Sequence, residues 1–100
     1  MTVSKGLIVR LQAQPGKEEA LANLLRSAQP LAEEEPETIA WFAFQLGPSW
    51  FAIVDVFPDE DGRNAHLNGA VAAALEEHGL ELLAEPPRIE RVDALATKLP

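Results

Sequence analysis

His66 is the side chain in this sequence best suited to chemistry. Imidazole has its unperturbed pKa near neutrality, so a positioned histidine can take a proton from a bound molecule and return it. His66 lies in the run Asn64-Ala65-His66-Leu67, on the flank of an apolar helical stripe, where it can point into a pocket beneath the helix. A structural reading competes: a histidine capping a helix flank, or hydrogen-bonded within an interface. Asn64 can donate to a ligand oxygen or stand exposed in a first helical turn. Phe42, Phe44 and Trp50 are large aromatics that can stack on a flat ligand or simply fill a core. His78, beside Glu76, Glu77 and Gly79, belongs to a helix end, where a cationic ring suits the dipole. Arg88 and Arg91 can hold an anion or pair with the abundant carboxylates.

Other chemistries find no footing. The chain has no cysteine, and its two histidines make no HExxH-type pairing, so no metal site is expected. Gly-rich phosphate-binding patterns are missing. Ser4, Ser27 and Ser49 sit in no nucleophile-elbow context.

The elements that must position these residues follow from periodicity. In Lys5–Gln12, Leu7, Val9 and Leu11 alternate with Ile8, Arg10 and Gln12, as in a strand with one apolar and one mixed face. Gln14-Pro15-Gly16-Lys17-Glu18-Glu19 opens a helix whose stripe is Leu21, Leu24, Leu25, Ala28, Leu31 and Ala32. Pro30 inside that pattern predicts a kink or an early end. Ile39–Leu46 and Trp50–Phe57 are strands joined at Gly47-Pro48-Ser49. Pro58-Asp59-Glu60-Asp61 then starts a second helix, with Asp59 or Asp61 as its N-cap. Its stripe is Leu67, Val71, Ala74 and Leu75, with Gly79 as its stop. Arg88–Ala96 is the last strand. The order β-α-β-β-α-β, with right-handed crossovers, predicts an α+β ferredoxin-like fold: an antiparallel four-stranded sheet with two helices on one face.

The two central strands are apolar on both faces, the pattern of strands covered on both sides. A three-residue loop sets Leu46 opposite Trp50, Phe44 opposite Ala52 and Phe42 opposite Val54. The other face then pairs Trp41 with Asp55, Ala43 with Ile53 and Gln45 with Phe51. The wholly apolar set is assigned to the helices. The mixed set, with Arg10 as the partner of Asp55, is assigned to a second copy of the chain. Two helices cover one face, so a homodimer through the opposite face is expected. Burying several hundred Å² there, at roughly 25 cal/mol per Å², favours association.

One hundred residues form a single domain, residues 1–100. The net charge of −8 would repel a phosphate backbone, so nucleic acid is not an expected partner. No apolar run approaches the roughly 20 residues that cross a bilayer, and no membrane partner is expected. The N-terminal run lacks a signal-peptide pattern, and a cysteine-free chain fits a reducing compartment; the expected location is cytoplasmic. Glu33-Glu34-Glu35 and Glu37 read as a solvated helix end.

Four stretches together resemble the antibiotic biosynthesis monooxygenase family: GLIVRLQAQPGKEEAL at the first strand and helix, the hairpin TIAWFAFQLGPSWFAIVDVFPDED, Asn64-Ala65-His66-Leu67, and the basic-apolar strand Arg88–Leu95. The resemblance spans nearly the whole chain. It implies a dimeric α+β barrel with a small-molecule pocket between sheet and helices in each subunit. It also implies oxidation of a small aromatic quinol or phenol with dioxygen, without metal, flavin or other cofactor. In that reading His66 is the catalytic base, with Asn64, Phe42, Phe44 and Trp50 in the substrate pocket. Haem-degrading relatives use an asparagine, a tryptophan and a histidine; the first strand here carries Gln12 and Gln14 instead. The sequence also lacks tyrosine, one phenolic donor available to a quinol oxidiser. The alternative is a non-catalytic dimer of the same fold that binds a small molecule or serves in stress, and an isomerase or lyase on the same barrel is a third.

Overall fold

In the structure, a computed structural model that describes residues 2–100, β1 (Lys5–Gln12) is followed by α1 (Glu18–Glu33), β2 (Ala40–Gln45) and β3 (Trp50–Phe57). Then come α2 (Glu60–Leu67), α3 (Ala70–Leu82) and β4 (Arg88–Asp93). The strands form one four-stranded sheet in the order β2-β3-β1-β4, antiparallel at every pairing. This is the ferredoxin-like α+β arrangement. No helix is long and apolar enough to cross a membrane among the described residues.

The hairpin register is the expected one: Trp41 faces Asp55, Phe42 faces Val54 and Phe44 faces Ala52. The assignment of its two faces is reversed. Leu7, Leu11, Phe51, Ile53 and Phe57 form the core with Leu21 and Leu25 of α1, so the set containing Trp41, Phe51, Ile53 and Asp55 lies under the helices. The all-apolar set points away from them, leaving Phe42 49%, Phe44 48% and Leu46 53% exposed. Both sides of β3 are largely apolar, and Asp55 and Gln45, with Arg10 placed beside them, suggested which was outer. That carboxylate is buried because a histidine meets it from above, not because an interface covers it. Arg10 is not its partner: it pairs with Glu90 at 3.5 Å on the outer face.

Three further details differ from the periodicity. α1 continues past Pro30 to Glu33. The second helix is two. Gly69 N–H donates back to His66 O at 3.0 Å and Asn68 N–H to Asn64 O at 3.1 Å, closing α2. Gly69, with an extended backbone, then starts α3. A Cβ on Gly69 would stand 2.7 Å from Glu35 Oε2, so a glycine suits this close approach. Gly79 does not stop α3, which runs on to Leu82, and β4 ends at Asp93. Asp59 is the N-cap of α2, its Oδ1 accepting from Gly62 N–H at 2.8 Å.

α2 packs on β1 and β3, whereas α3 packs chiefly on α1 and α2. Its first residues, Ala70-Val71-Ala72-Ala73-Ala74, are short. A helix of small side chains standing off the sheet leaves space beneath it. The far end of α3 is tied back to β1: Gln14 N–H donates to Leu82 O at 2.8 Å, and Ala84 N–H to Gln12 O at 2.8 Å. The Gln14 side-chain amide donates to Leu80 O at 3.1 Å and Leu83 O at 3.0 Å, satisfying carbonyls a helix end leaves open.

Candidate functional site

The space between α3 and the sheet is a cavity of about 820 Å³, within the range of small-molecule sites. Leu7, Val9 and Ile53 make its floor and Val71 and Leu75 its roof, with His66 in its wall. Leu80 and Ile89, both exposed, also border it.

His66 sits in the last turn of α2, 6% exposed, its ring 5.2 Å from that of Phe57. Both ring nitrogens meet carboxylates. Nδ1 lies 2.5 Å from Glu35 Oε1, and Nε2 lies 2.8 Å from Asp55 Oδ2. The first is a hydrogen bond; the second is a close charge contact without the alignment of one. Thr38 Oγ1 donates to the same Glu35 oxygen at 2.7 Å. Asp55 is 1% exposed, and neither of its oxygens has a well-directed hydrogen bond; Glu35 Oε2 and Trp41 Nε1 are likewise buried and unpartnered.

Burial pushes the Asp55 carboxyl above the usual carboxylate range, and contact with His66 opposes but does not cancel that push. Burial alone would lower the imidazole, yet hydrogen bonding and charge from Asp55 and Glu35 outweigh it and raise His66 above its ordinary value. Asp55 and His66 lie in charge contact, and each holds its proton more firmly than an exposed group of its kind.

A second buried ion lies beside this cluster. Arg63, 6% exposed, donates through Nη1 to Gly6 O at 3.2 Å and Val92 O at 3.1 Å and pairs through Nη2 with Glu60. It ties α2 to β1 and β4, which fixes the turn carrying His66.

Of the sequence-derived candidates, only His66 borders the cavity. Phe42 and Phe44 stack on each other at 5.7 Å on the outer face, and Trp50 lies under the Arg88 guanidinium at 5.3 Å. The sheet separates all of them from His66, because their strand positions alternate with the core-facing ones. Asn64 is exposed, its carbonyl accepting from the Asn68 amide at 2.9 Å. Reasoning from sequence missed Glu35 and Arg63, and it gave Asp55 the wrong partner. One signal was available: a lone carboxylate within WFAIVDVF needs a buried cation, and His66 opens no other demand. Among the described residues, no group of His, Asp or Glu is arranged to hold a metal ion; the two carboxylates meet opposite nitrogens of the ring and do not converge.

No protein-family model matches the chain. No curated protein matches it either. Solved structures do. A Nitrosomonas europaea protein of unknown function, NE2512, is 55% identical over 99% of this chain and 96% of that one, with a TM-score of 0.98. PA3566 from Pseudomonas aeruginosa is 22% identical, covering 96% of this chain and 98% of that one at a TM-score of 0.82. A putative antibiotic biosynthesis monooxygenase from Nitrosomonas europaea is 19% identical, covering 92% and 99% at a TM-score of 0.83.

Proposed function

For a chain that belongs to the family of NE2512 and has the fold of the antibiotic biosynthesis monooxygenases, we propose a homodimeric, cofactor-independent monooxygenase that oxidises a small aromatic phenol or quinol with dioxygen. The observation that carries this reading is His66, in the wall of a largely apolar cavity of about 820 Å³ and backed by the buried Asp55 and Glu35. A phenol bound there gives its proton to the cluster, leaving an electron-rich anion. The anion passes one electron to dioxygen, and the two radicals join at a ring carbon. The resulting peroxide takes the proton back, and loss of water, including the hydrogen of that carbon, leaves a quinone. One dioxygen is consumed and one water released per phenol.

The outer face of the sheet supports the dimer. Phe42, Phe44 and Leu46 form an exposed apolar row on an edge strand and its hairpin, the kind of surface that marks an interface. In the proposed dimer a second copy covers it.

One observation favours the alternative, a non-catalytic small-molecule binder: both nitrogens of His66 already face carboxylates. An aerobic and anaerobic screen of phenols and hydroquinones, followed by oxygen uptake, separates the two. Uptake abolished by boiling and by Ala72→Trp, which fills the cavity, supports the enzyme. Ligand binding with no uptake above the boiled control refutes it.

A further inference from the structure

The cavity wall contains no lysine, no arginine and no Phe, Trp or Tyr ring. Its surface is aliphatic, supplied by leucine, valine, isoleucine, alanine and proline. The polar side chains present are Gln14, His66, Glu76 and Glu85. The Gln14 amide N–H groups are taken by Leu80 O and Leu83 O, which leaves Oε1 as an acceptor. His66 is occupied at both nitrogens. Glu85 is paired with Arg88 at 2.8 Å, and Arg88 is not part of the wall. What the side chains offer a ligand is therefore acceptors, negative charge and aliphatic contact, with no cation to receive an anion.

We infer that the cavity selects an uncharged, hydroxyl-donating ligand carrying an aliphatic substituent, and rejects molecules bearing a carboxylate, sulfonate or phosphate. A hydroxyl donor finds an acceptor in Gln14 or in the carboxylates. An alkyl or isoprenoid arm fills space that no aromatic side chain is there to stack against. An anion would enter a largely apolar space against the Glu76 side chain, with no lysine or arginine in the wall as a countercharge. The class of probe rests on the proposed phenol and quinol chemistry, whereas the selection by charge and by alkyl content rests on the wall alone.

The test is calorimetric titration under nitrogen, so that binding is read without turnover, with hydroquinone, tert-butylhydroquinone and hydroquinonesulfonate at pH 7. Each buried carbon is worth about fourfold in affinity, so tert-butylhydroquinone, with about two or three of its added carbons buried, should bind roughly 10- to 100-fold more tightly than hydroquinone. The sulfonate should bind at least about tenfold more weakly than hydroquinone, since a buried unpaired charge is strongly disfavoured. Glu76→Lys should narrow the gap between sulfonate and parent several-fold, and Ala72→Trp should abolish binding of the alkyl compound. Sulfonate binding equal to or tighter than the parent, no gain from the alkyl group, insensitivity to Ala72→Trp, or no binding of any probe each overturns the inference. If the alkyl compound binds as expected and no oxygen is consumed in air, selection stands and the oxidase reading falls.

Discussion

Replacing His66 with alanine separates a buried charge from a buried shape. The side chain fills space against Phe57 and holds Asp55 and Glu35 apart. Without it, a fully buried carboxylate faces a second carboxylate and no cation. Removing one partner of a buried pair costs about 3–5 kcal/mol, and that loss should appear at pH 7 in His66→Ala. Asp55 has a way out, because burial already favours its neutral form. Each unit by which pH exceeds a carboxyl's pKa makes protonation about 1.4 kcal/mol more costly, so acid relieves the variant. At pH 4.5 the loss should shrink to roughly 1–2 kcal/mol, the share due to packing. Urea unfolding at both pH values and fixed protein concentration reads this directly. With a slope near 1 kcal/mol per molar, the lower bound for small domains, the midpoint should fall by at most about 3–5 M at pH 7 and by at most about 1–2 M at pH 4.5. Equal losses at the two pH values would show that the histidine acts by shape alone and would refute the charge argument.

The same cluster sets the pH dependence of the wild type. Folded His66 and Asp55 both have raised pKa values, so the folded state holds more protons than the unfolded one, and stability falls as pH rises. The Asp55 contribution begins to be lost above pH 3.8, its unfolded value, and the His66 contribution above 6.5. Asp93, lowered by Lys5, acts in the opposite sense and only in acid. Calorimetry from pH 6 to 9 should show a falling Tm, and a flat or rising profile contradicts it. Glu35→Gln keeps an acceptor for Nδ1–H but removes the charge; the His66 pKa followed by NMR should drop by about one unit or more, and an unchanged titration would take Glu35 out of the cluster. Phe44→Asp places a charge in the outer apolar row and should convert a dimer to a monomer in light scattering at micromolar concentration. A wild type already monomeric under those conditions would remove the dimer from the proposal.

The fold was legible because each element carries its own local signal. Leu7, Val9 and Leu11 alternate, the α1 leucines recur at helical spacing, and Asp59 caps α2 as an N-cap acid should. The hairpin register followed from the odd loop, because a one-residue slip would have mixed polar and apolar positions. Which face met the helices was not legible. β3 is apolar on both sides, and local pattern cannot distinguish a core from an interface of the same composition. The break at Asn68-Gly69 was hidden because the apolar stripe continues across it, and what demands the glycine is Glu35, 34 positions earlier in the chain. The cluster escaped for a related reason. Glu35 stands among other glutamates in a segment that composition marks as solvated. Only the return of the chain after α1 brings it beneath α2.

The arrangement of charge also bears on whether such a cluster can act as a base. A neutral histidine that takes a proton from a neutral phenol creates two charges in an apolar space, each of which must be desolvated. Here two carboxyl groups flank the imidazole before substrate arrives, and the cost of burying them is borne by the fold. Proton transfer from the ligand to a carboxylate of the cluster neutralises that carboxylate and leaves the negative charge on the ring. One charge moves and none is added. The facing of both ring nitrogens toward oxygens does not prevent this, because the raised carboxyl of Asp55 can receive the incoming proton while the imidazole keeps its own. In the proposed reaction the acceptor is thus the Asp55–His66 pair, oriented by Glu35. Activity should then require Asp55 to have lost its own proton, rising with pH through the Asp55 titration while stability falls. The fold would be least secure under the conditions in which its site is most reactive.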